Sequence, residues 1–281
     1  LLCWTPTIAA PAPHLLDSAT MPLPTRLSTA VASVTGNLFL LVGSIVLGSL
    51  GVIVGMVPPR TFGTFYLMKV WSRGLLRASG CRVVARAEGE LEPGRGYVFL
   101  ANHQSLFDIP AVLATVPQQV RFAAKRTLFR IPVFGWSLYA GGFIPVDRGV
   151  GSKAQDTFAA ARKWLVRGVS VLFFPEGTRS LDGKVAAFQR GGFLLALKEN
   201  IQIVPVGITG TIDIQRRGSF AIHPREVTVS YGKPVDPAEF GVRRRAELEH
   251  FVRAEVARLA GALLRGEKDE VDEVDDVDKK S

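Results

Sequence analysis

An α/β layered domain preceded by an N-terminal membrane-inserting helical segment is the architecture this sequence predicts. Three observations carry the prediction. From Cys81 onward, short apolar runs bounded by turn residues alternate with stretches of helical period, the pattern of strands and helices packed in layers. Upstream, residues 27–57 contain no charged side chain and are dense in Leu, Ile and Val. At 281 residues with 47% hydrophobic content, the chain is long enough for one sizeable core with a small appended element.

Residues 1–25 carry Pro6, Pro11, Pro13, Pro22 and Pro24 among small and polar residues, without periodicity, and read as a disordered extension. No basic region precedes an apolar core there, so they make a poor signal peptide. Met21 is the first methionine and is expected to be the initiator. The charge-free segment 27–57 exceeds the roughly 20 residues a membrane-crossing helix needs, and is expected to insert as a transmembrane span or a re-entrant hairpin. Gly43, Gly48, Gly51 and Gly55 suit either a closely approaching helix or a break. Basic residues crowd its C-terminal flank (Arg60, Lys69, Arg73, Arg77, Arg82, Arg86), whereas only Arg26 lies close before it. The positive-inside bias then puts the bulk of the protein on the cytoplasmic face of the membrane.

Residues 64–79 interleave Phe65, Met68, Val70, Trp71, Leu75 and Leu76 with Lys69, Arg73 and Arg77. This amphipathic helix either lies in the headgroup layer or packs on the domain with a solvated face. Strands follow over 82–87, 97–101, 120–124, 143–146, 169–174, 203–208 and 227–231, with helices near 109–116, 128–140, 152–167 and 187–198. The helix over 152–167 is the clearest, with Phe158, Ala161 and Leu165 on one face. A last helix over 243–264 stripes Leu248, Phe251, Val252, Val256, Leu259 and Leu263. No internal repeat is visible.

The net charge is +9 and the pI about 9.9, which favours an acidic partner: nucleic acid, anionic lipid or a phosphorylated small molecule. Residues 267–281 hold eight acids against three lysines, a local −5, so the remainder carries +14. That run, within 266–281, reads as a disordered solvating tail without a catalytic role. Cys3 and Cys81 make no disulfide framework, and His14, His223 and His250 have no Cys or His neighbours at ligand spacing; no structural metal is expected.

The chemistry concentrates at strand ends. His103 follows the apolar run ending at Ala101 and precedes the helix containing Pro110, so it sits in a strand-to-helix loop. Asp108, five residues on, can fold back to one imidazole nitrogen, fixing the tautomer and raising the basicity of the other. Glu176, Gly177, Thr178 and Arg179 close a very apolar strand with a carboxylate, a permissive glycine and a guanidinium suited to gripping a phosphate. Arg148 ends the run Gly142-Phe143-Ile144-Pro145-Val146-Asp147-Arg148, and Lys125 and Arg126 end another strand. Taken singly, each of these has an ordinary reading as a capping histidine or a solvated surface charge.

Their order is more specific. Asn102-His103 with Asp108, then the stretch 142–148, then Phe174-Pro175-Glu176-Gly177-Thr178-Arg179-Ser180, then Ile203-Val204-Pro205-Val206, closely resembles the four motifs of the 1-acylglycerol-3-phosphate acyltransferase family. The spacing Lys125, Leu128, Pro132, Gly135 also looks like that family, and Pro145 is a minor departure. The resemblance spans roughly residues 60–235 and implies a layered αβ acyltransferase domain over 60–265. It implies acyl transfer from acyl-CoA or acyl carrier protein to the sn-2 hydroxyl of lysophosphatidic acid at a membrane. No cofactor beyond the acyl donor and no nucleic-acid partner are implied. By the same resemblance His103 is the general base, Asp108 orients it, and Lys125, Arg148, Glu176, Gly177, Thr178 and Arg179 bind the acceptor, the arginines on its phosphate. A Ser105-centred esterase is a rival, weakened because no Gly-x-Ser-x-Gly elbow is present. The same chemistry on a different lysophospholipid or lipid acceptor, and a membrane-tethered basic binding protein, are further alternatives.

Overall fold

The computed structural model describes residues 24–56, 60–146, 153–216 and 218–265. The extension up to residue 23 with Met21, Arg148, and the acidic tail 266–281 therefore lie outside the described residues.

Seven strands form one twisted sheet: β1 (Arg82–Ala87), β2 (Val98–Ala101), β3 (Val120–Lys125), β4 (Ile144–Val146), β5 (Ser170–Phe173), β6 (Ile203–Thr209) and β7 (Glu226–Tyr231). Their order is β1-β7-β6-β2-β5-β3-β4. Strands β4, β3, β5, β2 and β6 run parallel; β7 is antiparallel to β6, and β1 parallels β7. Each expected strand is present; the central ones, such as β2, are buried on both faces and so read as unbroken apolar runs, whereas the edge strand β1 is largely unburied. Val98 and Leu100 face one core cluster while Phe99 and Ala101 face the other, so β2 divides its side chains between two layers with period two. Helices α2 (Arg60–Ala78) and α3 (Asp108–Thr115) cover the side of Phe99 and Ala101; α5 (Lys153–Leu165), α6 (Gly191–Glu199) and α7 (Arg245–Ala260) cover the side of Val98 and Leu100.

Helix α1 is unbroken from Arg26 to Gly55, with Thr25 Oγ1 accepting the Ser28 N–H at 3.1 Å as its N-cap. The hairpin alternative is absent over these residues. The glycines admit neighbours from the same chain. A Cβ on Gly36 would lie 2.7 Å from Ser79 Oγ, and one on Gly55 would lie 2.6 Å from Ala140 Cβ. Polar tethers run the length of α1: Ser33 Oγ accepts the Ile222 N–H at 2.8 Å, Asn37 donates to Phe220 O at 2.8 Å, and Ser44 Oγ accepts from Trp71 Nε1 at 3.1 Å. Its opposite face leaves Leu27, Val34, Leu38, Leu41, Ile45 and Ile53 exposed.

Of the two readings of 64–79, packing on the domain is the one found. Lys69 Nζ donates to Val116 O at 2.8 Å and Arg73 Nη2 to Ala114 O at 3.2 Å, so both cations cap the C-terminal end of α3. Partial burial, with Arg73 nearby, pulls the Lys69 ammonium down to about 8.

The single helix expected over 128–140 is two pieces, a 3-10 turn Arg126–Arg130 and α4 (Phe134–Ala140). Pro132 and Val133 divide them. Val133 has φ 63 and ψ −60, and the Phe134 N–H donates back to Pro132 O at 2.7 Å, a γ-turn that no α-helix can contain. Helix α6 likewise starts later than expected, at Gly191, because 185–189 is extended and tied to other loops.

Candidate active site

Because β2 to β6 are parallel, the loops after Ala101, Lys125 and Phe173 all leave the sheet at its carboxyl edge, where open α/β sheets place ligands. Three of the sequence-predicted stretches meet there. The fourth, 142–148, contains β4, which ends at Val146 on the same edge; Arg148 itself lies outside the described residues.

Asn102 sets the loop. Its side-chain amide donates to Ile208 O at 3.0 Å and accepts the Ile208 N–H at 2.7 Å, so it pairs with β6 as a strand residue would. His103 is then gripped on both backbone groups: its N–H donates to Glu176 Oε1 at 2.7 Å and its carbonyl accepts the Ser180 N–H at 2.8 Å. The ring stacks on Phe174, with centroids 4.2 Å apart and planes 20° from parallel.

Asp108 opens α3 and is fully buried. Its Oδ2 lies 2.7 Å from His103 Nδ1 and also accepts the N–H groups of Gln104 at 2.7 Å and Ser105 at 2.9 Å. An oxygen that already accepts two N–H groups is an acceptor, so Nδ1 carries the proton and Nε2 the lone pair. The His103 side chain is 14% exposed, and no hydrogen bond engages Nε2 among the described residues. This is the geometry of a poised base.

Ser105 is buried; its Oγ is met by the Phe107 N–H at a long 3.4 Å, and among the described residues no hydrogen bond joins it to His103. Nothing there activates it as a nucleophile.

Glu176, expected to bind the acceptor, is held here by backbone groups of its own chain. It is buried, and its two oxygens take the backbone N–H groups of His103 and, at 3.0 Å, Ala186. It is a strut between two loops. Burial pushes its carboxyl up to about 7, against the N–H groups of Ala186 and His103, which pull it down; the Asp108 charge adds to the rise and Arg265 opposes it. Gly177 has φ +74, and a Cβ there would come within 2.4 Å of Gln189 Nε2, so the turn requires glycine. Thr178 is exposed and Arg179 half-buried at the loop mouth, and Lys125 is exposed at the end of β3. Neither cation has a hydrogen-bonded or ionic partner among the described residues. No group of three metal-ligating side chains comes together among the described residues.

Asn102, Phe174 and Ser180 lay inside the quoted motifs, but no role followed from their spacing. Asn102 and Phe174 do border the histidine and the carboxylate loop, which is the one signal that pointed at them.

Comparison with known proteins gives the family and the fold. A family model described as Acyltransferase matches residues 79–209. A 1-acyl-sn-glycerol-3-phosphate acyltransferase of Chlamydomonas reinhardtii is 36% identical over 146 residues, covering 52% of this chain and 44% of that protein. The chain thus spans less than half the length of that relative. The enzyme of the same name from Salmonella typhimurium is 30% identical over 179 residues, covering 62% of this chain and 71% of that protein. The crystal structure of the 1-acyl-sn-glycerophosphate acyltransferase from Thermotoga maritima superimposes with a TM-score of 0.69 at 24% identity, over 85% of this chain and 99% of that one; it shares the fold.

Proposed function

The chain belongs to the acyltransferase family that includes the 1-acyl-sn-glycerol-3-phosphate acyltransferases, and from that premise we propose that it acylates the sn-2 hydroxyl of lysophosphatidic acid to make phosphatidic acid. The observation that carries the reading is the 2.7 Å contact of His103 Nδ1 with a buried carboxylate oxygen that accepts two further N–H groups. Nε2 of His103 takes the proton from the acceptor hydroxyl as its oxygen attacks the thioester carbonyl. The tetrahedral intermediate collapses with loss of the thiolate, and the imidazolium returns the proton to that sulfur. An ester and a free thiol result, and no acyl-enzyme forms. Asp108 stabilises the imidazolium between the two steps.

Lys125, Arg148 and Arg179, cations that follow parallel strands at one edge, are assigned to the acceptor phosphate, with Thr178 beside them. Glu176 and Gly177 act by shaping the loop. The donor is acyl-CoA or acyl carrier protein; no cofactor or metal takes part, and nucleic acid is not a partner. The exposed apolar face of α1 is assigned to the membrane. Because the other face is tethered to the domain along its length, the helix enters the leaflet together with the domain, with Trp136 and Tyr139 of α4 exposed beside it at the headgroup level. The charge bias places the domain on the cytoplasmic face of the membrane.

The test is purified protein with a panel of lysophospholipids in vesicles, the donor presented on CoA and on carrier protein separately, with free thiol and product mass as readouts. Phosphatidic acid as the main product supports the assignment. Preference for another lysolipid would change the acceptor and keep the mechanism; an acyl group trapped on Ser105, or no thiol release with any acceptor, would overturn it.

A further inference from the structure

Helix α7 ends where Gly261 takes φ +59, and the chain then turns back across the loop that carries Glu176. Leu264 makes a parallel bridge with Val185: the Val185 N–H donates to Leu263 O at 2.9 Å and the Arg265 N–H donates to Val185 O at 2.9 Å. Arg253 of α7 clamps both strands of this bridge, its Nη2 donating to Val185 O at 2.8 Å and to Arg265 O at 2.6 Å. The Arg265 guanidinium, 10% exposed, reaches Asp182 Oδ1 at 3.0 Å. That same oxygen receives the Ser180 hydroxyl at 2.9 Å and the Lys184 N–H at 3.0 Å.

Both ends of this segment then act on His103. Ser180 donates its N–H to His103 O, and Ala186, adjacent to Val185, holds the second oxygen of the Glu176 carboxylate whose first oxygen holds the His103 N–H. Leu263–Arg265 lies well outside the residues matched by the family model, 79–209, whereas its partner Val185 lies inside them. We propose that Leu263–Arg265 is a strap that positions the Glu176–Ser180 loop against His103, and that Arg265 is a positioning residue for acyl transfer. This rests on the function proposed above.

The physical reason is charge. Four groups face the buried Glu176: Asp108, which opposes its ionisation; Arg265, which favours it; and His103 and Ala186, which hold it through backbone N–H groups. Only the ionised carboxylate offers both oxygens fully as acceptors to His103 and Ala186. Removing Arg265 weakens that ionised state and slackens the histidine loop at a pH where the parent still holds it.

The experiment compares Arg265→Met, Arg265→Lys, Asp182→Asn and the double variant Arg265→Met/Asp182→Asn in kcat/KM from pH 5.5 to 8.5. Amide hydrogen exchange at His103 and Ala186 and thermal unfolding are measured alongside. In Arg265→Met the acid limb should move to higher pH, raising the ratio of activity at pH 8 to that at pH 6 by about threefold, the equivalent of half a pKa unit. Exchange at both amides should quicken. Lys at 265 should restore the parent profile. The double variant should lose less than the sum of its two single variants, because Arg265 and Asp182 share a contact. Equal loss at every pH, an unchanged profile, or exchange unaffected at His103 and Ala186 would overturn the strap. Should the parent release no thiol with any acceptor, the proposed reaction fails, while hydrogen exchange still decides whether the strap holds the loop.

Discussion

Replacing Asp108 with Asn separates charge from shape at the site. The Asn amide oxygen can stand where Oδ2 stands and accept from His103 Nδ1 and from the N–H groups of Gln104 and Ser105. The amide NH2 then falls where Oδ1 lies, a buried atom without a partner. Two losses follow. A unit charge about 4 Å from the forming imidazolium contributes about 4 kcal/mol at an effective dielectric constant near 20. That converts to about 10³ in rate. The orphaned NH2 costs about 1–3 kcal/mol of stability, which a cooperative domain tolerates. If the amide turns over instead, its NH2 faces Nδ1 and selects the Nε2–H tautomer, which cannot take a proton, so the direction is the same. The assay is continuous thiol release with varied acceptor, paired with a thermal melt. We expect kcat to fall about 10³-fold with the acceptor KM changed less than about threefold. A folded D108N protein with kcat within about tenfold of the parent would refute the base assignment.

Three further outcomes test the remaining structure. His103→Ala should abolish thiol release, by about 10³-fold or more, while leaving the melt cooperative; near-parent activity would show that another group takes the proton. The folded Glu176 carboxyl sits at about 7 against an ordinary 4.5, so the native state keeps a proton that the unfolded chain has shed. Its contribution to stability is therefore fully present below pH about 4.5, declines as pH rises to about 7 and is flat above that; urea titrations should show that slope, and Glu176→Gln should remove it. Gly55→Leu forces side-chain atoms where a Cβ alone would be 2.6 Å from Ala140 Cβ, so it should cost about 1–3 kcal/mol in a melt. Vesicle flotation should persist in that variant, because the apolar face of α1 is untouched; loss of flotation would contradict the division of that helix into two faces.

The strands and the His103–Asp108 contact were legible for one reason: both are local. A strand buried on two faces must be continuously apolar, and His103 and Asp108 are separated by one turn of loop, so five residues suffice to bring the carboxylate to the ring. Periodicity, by contrast, ran straight through Pro132 and Val133, because it records which residues are apolar and not where the backbone must turn to leave the sheet edge.

The sequence by itself determined that strands end at His103, Lys125 and the Glu176–Arg179 loop, and that the 31 uncharged residues 27–57 would make an apolar membrane-inserting segment. Only the tertiary structure decided which way the polar groups point. Glu176 turns inward to two backbone N–H groups, Lys69 and Arg73 cap α3, and Arg265 reaches back from the far side of α7 to the catalytic loop. Hydrophobic burial depends on composition averaged over a stretch, which the sequence displays. A hydrogen bond depends on the position of one partner to within a few tenths of an ångström, and residues 41 to 83 positions apart acquire that only when the chain has closed.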